Sequence, residues 1–212
     1  MAGEASAHET TPGGVEYARV VPRIFSSGYY GDRAAARRDA LQLLAESSRR
    51  WADFAARRRL RFTAVDGMPS LEGRIEAFDM VVAASGSPDA GFRTRASTTA
   101  KHPLAGTLHV GPPGSWDDFV AQIKPRRAFG EPQLDALLVV ESSPPVLAGT
   151  ILDGRVMALV RHFARQHLSL SYAEGAIAIE WAGVERDEAT LDGVLHVLVD
   201  LGLRGNDAAP YR

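Results

Sequence analysis

Residues 168–183, LSLSYAEGAIAIEWAG, decide the fold. Leu168, Leu170 and Tyr172 alternate with two serines before Glu174-Gly175, and Ile177, Ile179 and Trp181 alternate with Ala178 and Glu180 after it. Period-two alternation marks a strand with one face buried, and a Glu-Gly pair between two such runs predicts a two-residue hairpin turn. Folding about that turn pairs Tyr172 with Ile177, Leu170 with Ile179 and Leu168 with Trp181, so six large side chains share one face. Burying them is worth roughly 1.5–3 kcal/mol each before entropy is subtracted. The other face carries Ser169, Ser171, Ala178 and Glu180. The hairpin is a core floor and holds no evident chemistry.

The segments flanking it supply the helices for that floor. Val156, Leu159, Val160 and Phe163 fall at i, i+3, i+4 and i+7, with Thr150 or Asp153 as the cap. After the hairpin, Asp187 is placed to cap a helix carrying Leu191, Val194, Leu195, Leu198 and Leu201, closed by Gly202 or Gly205. A strand is predicted at residues 136–140 ahead of SSPP.

The first half opens with a long helical pattern over about 32–58. Leu41, Leu44, Trp51 and Phe54/Ala55 lie on one side, and Asp32 is positioned to cap it. Glu46 with Arg50 and Asp53 with Arg57 have the favourable i,i+4 spacing. Five segments of strand character follow, at 60–64, 71–75, 80–84, 92–100 and 107–110, with a turn or bulge at 76–79 where the apolar parity slips. Ser115 to Asp118 has capping-box form and predicts a short helix ending before Pro125. KPRRAFGEPQ, polar and basic with two prolines, is the best internal boundary.

The expected layout is α+β, an antiparallel sheet with helices packed mainly on one face, with room for two similar-sized lobes. Residues 1–14 read as a disordered tail and 15–124 as an irregular aromatic lead-in, a helix and a strand-rich lobe. Residues 134–205 read as a β-α-β-β-α lobe, and 206–212 as a frayed tail.

Composition narrows the function classes. The chain has 212 residues and no cysteine, which removes disulfides, thiolate metal sites and a cysteine nucleophile. No apolar run reaches the roughly 18–20 residues that cross a bilayer, so no membrane partner is expected. The N-terminus lacks the basic start and apolar stretch of a signal peptide, which points to a cytoplasmic protein. Arginine outnumbers lysine 22 to 2, the usage of a GC-rich, bacterial-type genome.

Charge is unevenly placed. Residues 33–61 hold nine arginines against three acids, whereas 131–212 hold six arginines against twelve acids. Arg49, Arg50, Arg57, Arg58, Arg59 and Arg61 crowd one helix end and the next strand, and Lys124, Arg126 and Arg127 add to them. Such a patch suits an intramolecular charge match, an acidic protein surface, a second copy of the chain, or nucleic-acid phosphates.

The search for chemistry returns little. There is no phosphate-binding G-x-x-x-x-G-K-[ST] and no G-x-G-x-x-G, and GPPG at 111–114 offers few backbone N–H groups because proline has none. His8, His102, His109, His162, His167 and His196 show no H-x-x-x-H or H-E-x-x-H spacing. No G-x-S-x-G elbow is present. The paired carboxylates Asp117/Asp118 and Asp187/Glu188, with Glu185, stand at expected helix starts, where the helix dipole favours negative charge. No catalytic residue, cofactor or metal ligand is assigned. The expectation is a non-catalytic protein-interaction or scaffolding module, self-associating as a weak homo-oligomer or binding a protein partner. The alternatives are an enzyme or small-ligand binder with a site assembled from scattered polar residues, and an electrostatic nucleic-acid binder using residues 49–61.

Overall fold

A computed structural model describes residues 30–113 and 128–207. The lead-in and tail before Tyr30, the helix expected from Ser115 and the patch residues Lys124, Arg126 and Arg127 lie outside them, as do residues 208–212.

The chain begins with α1 (Tyr30–Arg58) and continues through β1 (Arg61–Val65), β2 (Met68–Ile75), β3 (Phe78–Ser87), β4 (Gly91–Thr99) and β5 (Thr107–Gly111). Then come α2 (Pro132–Asp135), β6 (Val139–Ser143), α3 (Pro145–Ile151), α4 (Gly154–Phe163), β7 (Ser169–Ala173), β8 (Ala176–Ala182) and α5 (Glu188–Asp207). All eight strands form one antiparallel sheet in the order β1-β2-β3-β4-β8-β7-β5-β6. The fold is α+β. Strands from the two halves of the chain are joined by β4 and β8, which pair from Arg93↔Ala182 to Thr99↔Ala176.

The opening hairpin has the expected register, with Tyr172↔Ile177 and Leu170↔Ile179, and all six of its large apolar side chains are buried. Leu71, Met80, Val82, Ala96, Leu108 and Val140 continue that face across the other strands. Onto it pack α4 through Val156, Leu159, Val160 and Phe163, and α5 through Leu191, Val194, Leu195, Leu198 and Leu201. Phe163 lies on Trp181, ring centroids 4.6 Å apart. Asp153 caps α4, accepting from the N–H groups of Arg155 and Val156, and Asp187 caps α5 through Thr190. The slip between Ile75 and Phe78 is a tight turn, with Glu76 at φ +53°.

Several expectations are corrected. Leu41 is 46% exposed, because burial along α1 begins only at Leu44. A helix of 29 residues is about 43 Å long, while the strands beneath it span only about 17–26 Å, so its first turns outrun the sheet. Asp32 lies inside α1, which begins at Tyr30 rather than after Asp32. The strand expected at 136–140 is displaced to Val139–Ser143, because Leu134 and Leu138 are spent on the helical turn of α2 and its exit into the core. Gly202 does not end the last helix, which runs to Asp207. It marks a close approach: a Cβ there would stand 2.5 Å from the Phe78 ring. Among the described residues no helix is long and apolar enough to cross a membrane.

Candidate functional site

α1 ends beside the start of α5, and the two termini carry opposite charge. Arg57 pairs with Glu188, Arg58 with Asp192, and Arg61 with Glu72 on the neighbouring strand. Arg50 donates to the carbonyl of Arg186 at 3.4 Å. The Trp51 indole N–H donates to the carbonyl of Glu185 at 2.7 Å, and the buried Thr94 hydroxyl bridges Gly183 and Glu185. Together these bonds hold the segment that leads into α5. Within the described residues, then, the charge match between basic front and acidic back is made inside one chain. The expected Glu46–Arg50 and Asp53–Arg57 pairs are not formed, since both arginines reach α5 or its entry instead. Of the six described patch arginines, Arg49 and Arg59 have no charged partner among the described residues, and Arg59 takes a left-handed backbone at φ +57°.

Described residues on the helical side line several hollows, among them one of about 410 Å³ beside Phe54 at the Arg57–Glu188 and Arg58–Asp192 pairs, and two more. One, of about 370 Å³, runs between α4 and α5 over Leu159, Val194 and Val197, with Arg155, His162, Asp187 and Thr190 on its rim. Arg155, Asp187 and Thr190 on that rim are already committed. Arg155 binds Asp200 at 2.5 Å, and bonds from Thr190 hold the Asp187 carboxyl below its usual range, with His162 a lesser contributor. The second, of about 210 Å³, is lined by Arg58, Arg74, Glu76, Asp192 and His196, in which two cations offset two carboxylates. Asp192 is shared by Arg58 and His196.

The five described histidines are dispersed: His102, His109, His162, His167 and His196 lie on separate elements or loops. No three His, Asp or Glu side chains among the described residues converge as a metal site. His109 alone faces an acid across a strand pair, Glu141 on β6. Oε1 of Glu141 is shielded from water and has no hydrogen-bond partner among the described residues.

The broadest surface feature is the second face of the sheet. No described helix packs on it. One register row crosses all eight strands, from Arg61 through Glu72, Val81, Ser97, Ala178, Ser171 and His109 to Glu141. The neighbouring row runs from Thr63 through Ser70, Ala83, Arg95 and Glu180 to Ser169. Over the four central strands these rows carry Val81, Ala83, Ser97, Ala178, Ser171 and Ser169 around the charged Arg95 and Glu180, and the charges stand in pairs: Arg61 with Glu72, and Glu180 with Arg93 at 2.5 Å and Arg95 at 3.6 Å. Sequence reasoning found the polar side of the hairpin but not this surface. The hairpin's serines and alanines gave the signal; the strands lying beside them in space could not be read from spacing.

No known family model matches the chain, and no curated protein matches it. Among solved structures, the mycobacterial trehalose monomycolate transport factor A, TtfA, is similar to 78% of this chain and 98% of its own, with 12% sequence identity and a TM-score of 0.49.

Proposed function

We propose that the chain is a non-catalytic interaction module whose working surface is the face of the eight-stranded sheet on which no described helix packs. The observation that supports this is the pairing of a helix-covered core face with a second face on which small side chains surround the Arg95–Glu180 charges at the middle of the sheet. An antiparallel sheet tolerates water on one side. Side chains as short as Ala and Ser also let another backbone approach closely, and the surrounding charges supply register more than affinity.

The arginine segment supports nucleic-acid binding less well, because Arg57, Arg58 and Arg61 already have carboxylate partners. A small-ligand reading has one observation in its favour, the 370 Å³ groove between α4 and α5.

Val81 lies near the middle of the open face and is 40% exposed, so Val81→Arg keeps the core intact. The test compares affinity capture of partners from cells by the wild type, by Val81→Arg, and by Leu203→Arg on the exposed side of α5. Selective loss at Val81→Arg, with unchanged melting, is expected. Equal capture by all three would overturn the assignment of the face.

A further inference from the structure

We infer that the occupant of the open face is a second copy of the chain, related by a two-fold axis that runs along the strands at the β4–β8 seam. This rests on the reading of that face as an interaction surface and adds the partner and the register.

Two sheets can stack face to face under a two-fold axis lying either across the strands or along them. An axis across the strands lays each strand over its own copy and, where it lies on their row, brings Arg95 near Arg95 and Glu180 near Glu180. An axis along the strands reverses the strand order, so β4 lies over the second copy's β8, β3 over its β7, and β1 over its β6. The seam is the midpoint of the strand order, with four strands on each side. Arg95 on β4 then faces Glu180 of the second copy, and Arg61 on β1 faces Glu141 of the second copy, since each pair of residues belongs to one register row. Glu72 faces His109 of the second copy in the same way. Every charged position in both rows meets an opposite or titratable group. The Glu141 carboxylate, whose Oε1 has no donor among the described residues, gains a cation beside it. This arrangement sets Arg95 against Glu180 and Arg61 against Glu141, and apposed opposite charge sets orientation in interfaces.

Between the charges, Ser97 faces Ala178 and Val81 faces Ser171, small against small, which suits aligned sheets stacked about 10 Å apart or closer. The area is sufficient. Eight strands about 4.8 Å apart and about five residues deep present roughly 550 Å² per copy, about 1,100 Å² in total, just above the roughly 1,000 Å² expected of a specific interface. A moderate, isologous dimer follows.

The test uses the full chain. Arg95→Glu and Glu180→Arg each create two like-charge contacts in a self-dimer, but a one-to-one mixture creates only opposite ones. Sedimentation should show each variant dimerising at least tenfold more weakly than the wild type, with the mixture restored to within about threefold. This recovery is one that an effect confined to the in-chain Arg95–Glu180 pair cannot produce. A mixture no better than its components, or variants that dimerise like the wild type, overturns the arrangement.

A benzophenone amino acid in place of Val81, irradiated in cells, separates this inference from the reading beneath it. A self-adduct mapping to the β7 peptide supports the dimer, and a self-adduct mapping to β3 overturns its register. An adduct to a different protein, with none to itself, overturns the dimer but leaves the face as an interaction surface. No adduct at all overturns both.

Discussion

Two glycines in α5 should respond to the same substitution with opposite signs. Gly193 is exposed on the helix, and a Cβ there would meet nothing within 4 Å. Alanine is favoured over glycine in a helix interior by about 0.8–1.0 kcal/mol, because glycine loses more backbone freedom on folding. Gly193→Ala should therefore stabilise by about 1 kcal/mol, raising Tm by about 2–4 °C for a chain of this size. Gly202 has the same helical benefit available and cannot use it. Its Cβ would stand 2.5, 2.9 and 3.0 Å from three atoms of the Phe78 ring. Phe78 is 1% exposed at the start of β3, and its rigid ring has no open space to turn into. Overpacking of this kind costs typically 1–3 kcal/mol, and contacts this short belong at the upper end, so the net loss is about 2 kcal/mol. Thermal and urea unfolding followed by circular dichroism would place the two variants about 3 kcal/mol apart. A Gly202→Ala protein as stable as the wild type would refute the close approach of α5 to β3, and with it the reason for a glycine at that position.

Trp181→Ala removes a side chain that is 1% exposed and stacked on Phe163, and should cost about 3–5 kcal/mol in urea unfolding, whereas a change near zero would contradict its burial. Asp153→Ala should cost about 1 kcal/mol at neutral pH through loss of the α4 cap. Burial pushes the Asp153 carboxyl up, but bonds from Val156, Arg204 and Arg155 outweigh it and hold the group below its ordinary value of 3.8. The stability gap between wild type and variant should thus be full above that value and close as pH falls through the lower folded-state value, which unfolding at a series of pH values would read. Arg57→Ala breaks an exposed pair with Glu188 and should shift stability by no more than about 1 kcal/mol, less in added salt; a larger loss would mean that the α1–α5 junction depends on charge rather than on Trp51 and Phe54.

What the sequence made legible was local. Residues 168–183 carry their own turn and alternate cleanly, so hairpin, register and buried face could all be derived from them. The caps at Asp153 and Asp187 and the apolar stripes of α4 and α5 are equally self-contained. The errors came where distant packing overrode a local signal. The i,i+4 acids beside Arg50 and Arg57 lost to groups at the entry of α5 that are remote in sequence. Leu41 continued the helical stripe past the point where any strand lay beneath it. Gly202 resembled a helix stop because nothing near it in the chain reveals Phe78. For the candidate surface, the small residues of the hairpin were visible. That Ser97 and Val81 extend them into one face depends on β4 pairing with β8, which no periodicity encodes.

That pairing also bears on how the chain reaches its structure. β1 through β4 form a meander of short-range hairpins, and β7 with β8 is another, so each can organise with little loop-closure entropy. The strip where Ala96 meets Ile179 and Thr98 meets Ile177 is different, because the whole of β5 through β7 must be traversed before a single contact there forms. Folding rates fall as such non-local pairings come to dominate. The seam carries a large loop-closure cost, and a φ-value series along Gly91–Thr99 would show whether it closes in the transition state or only after it.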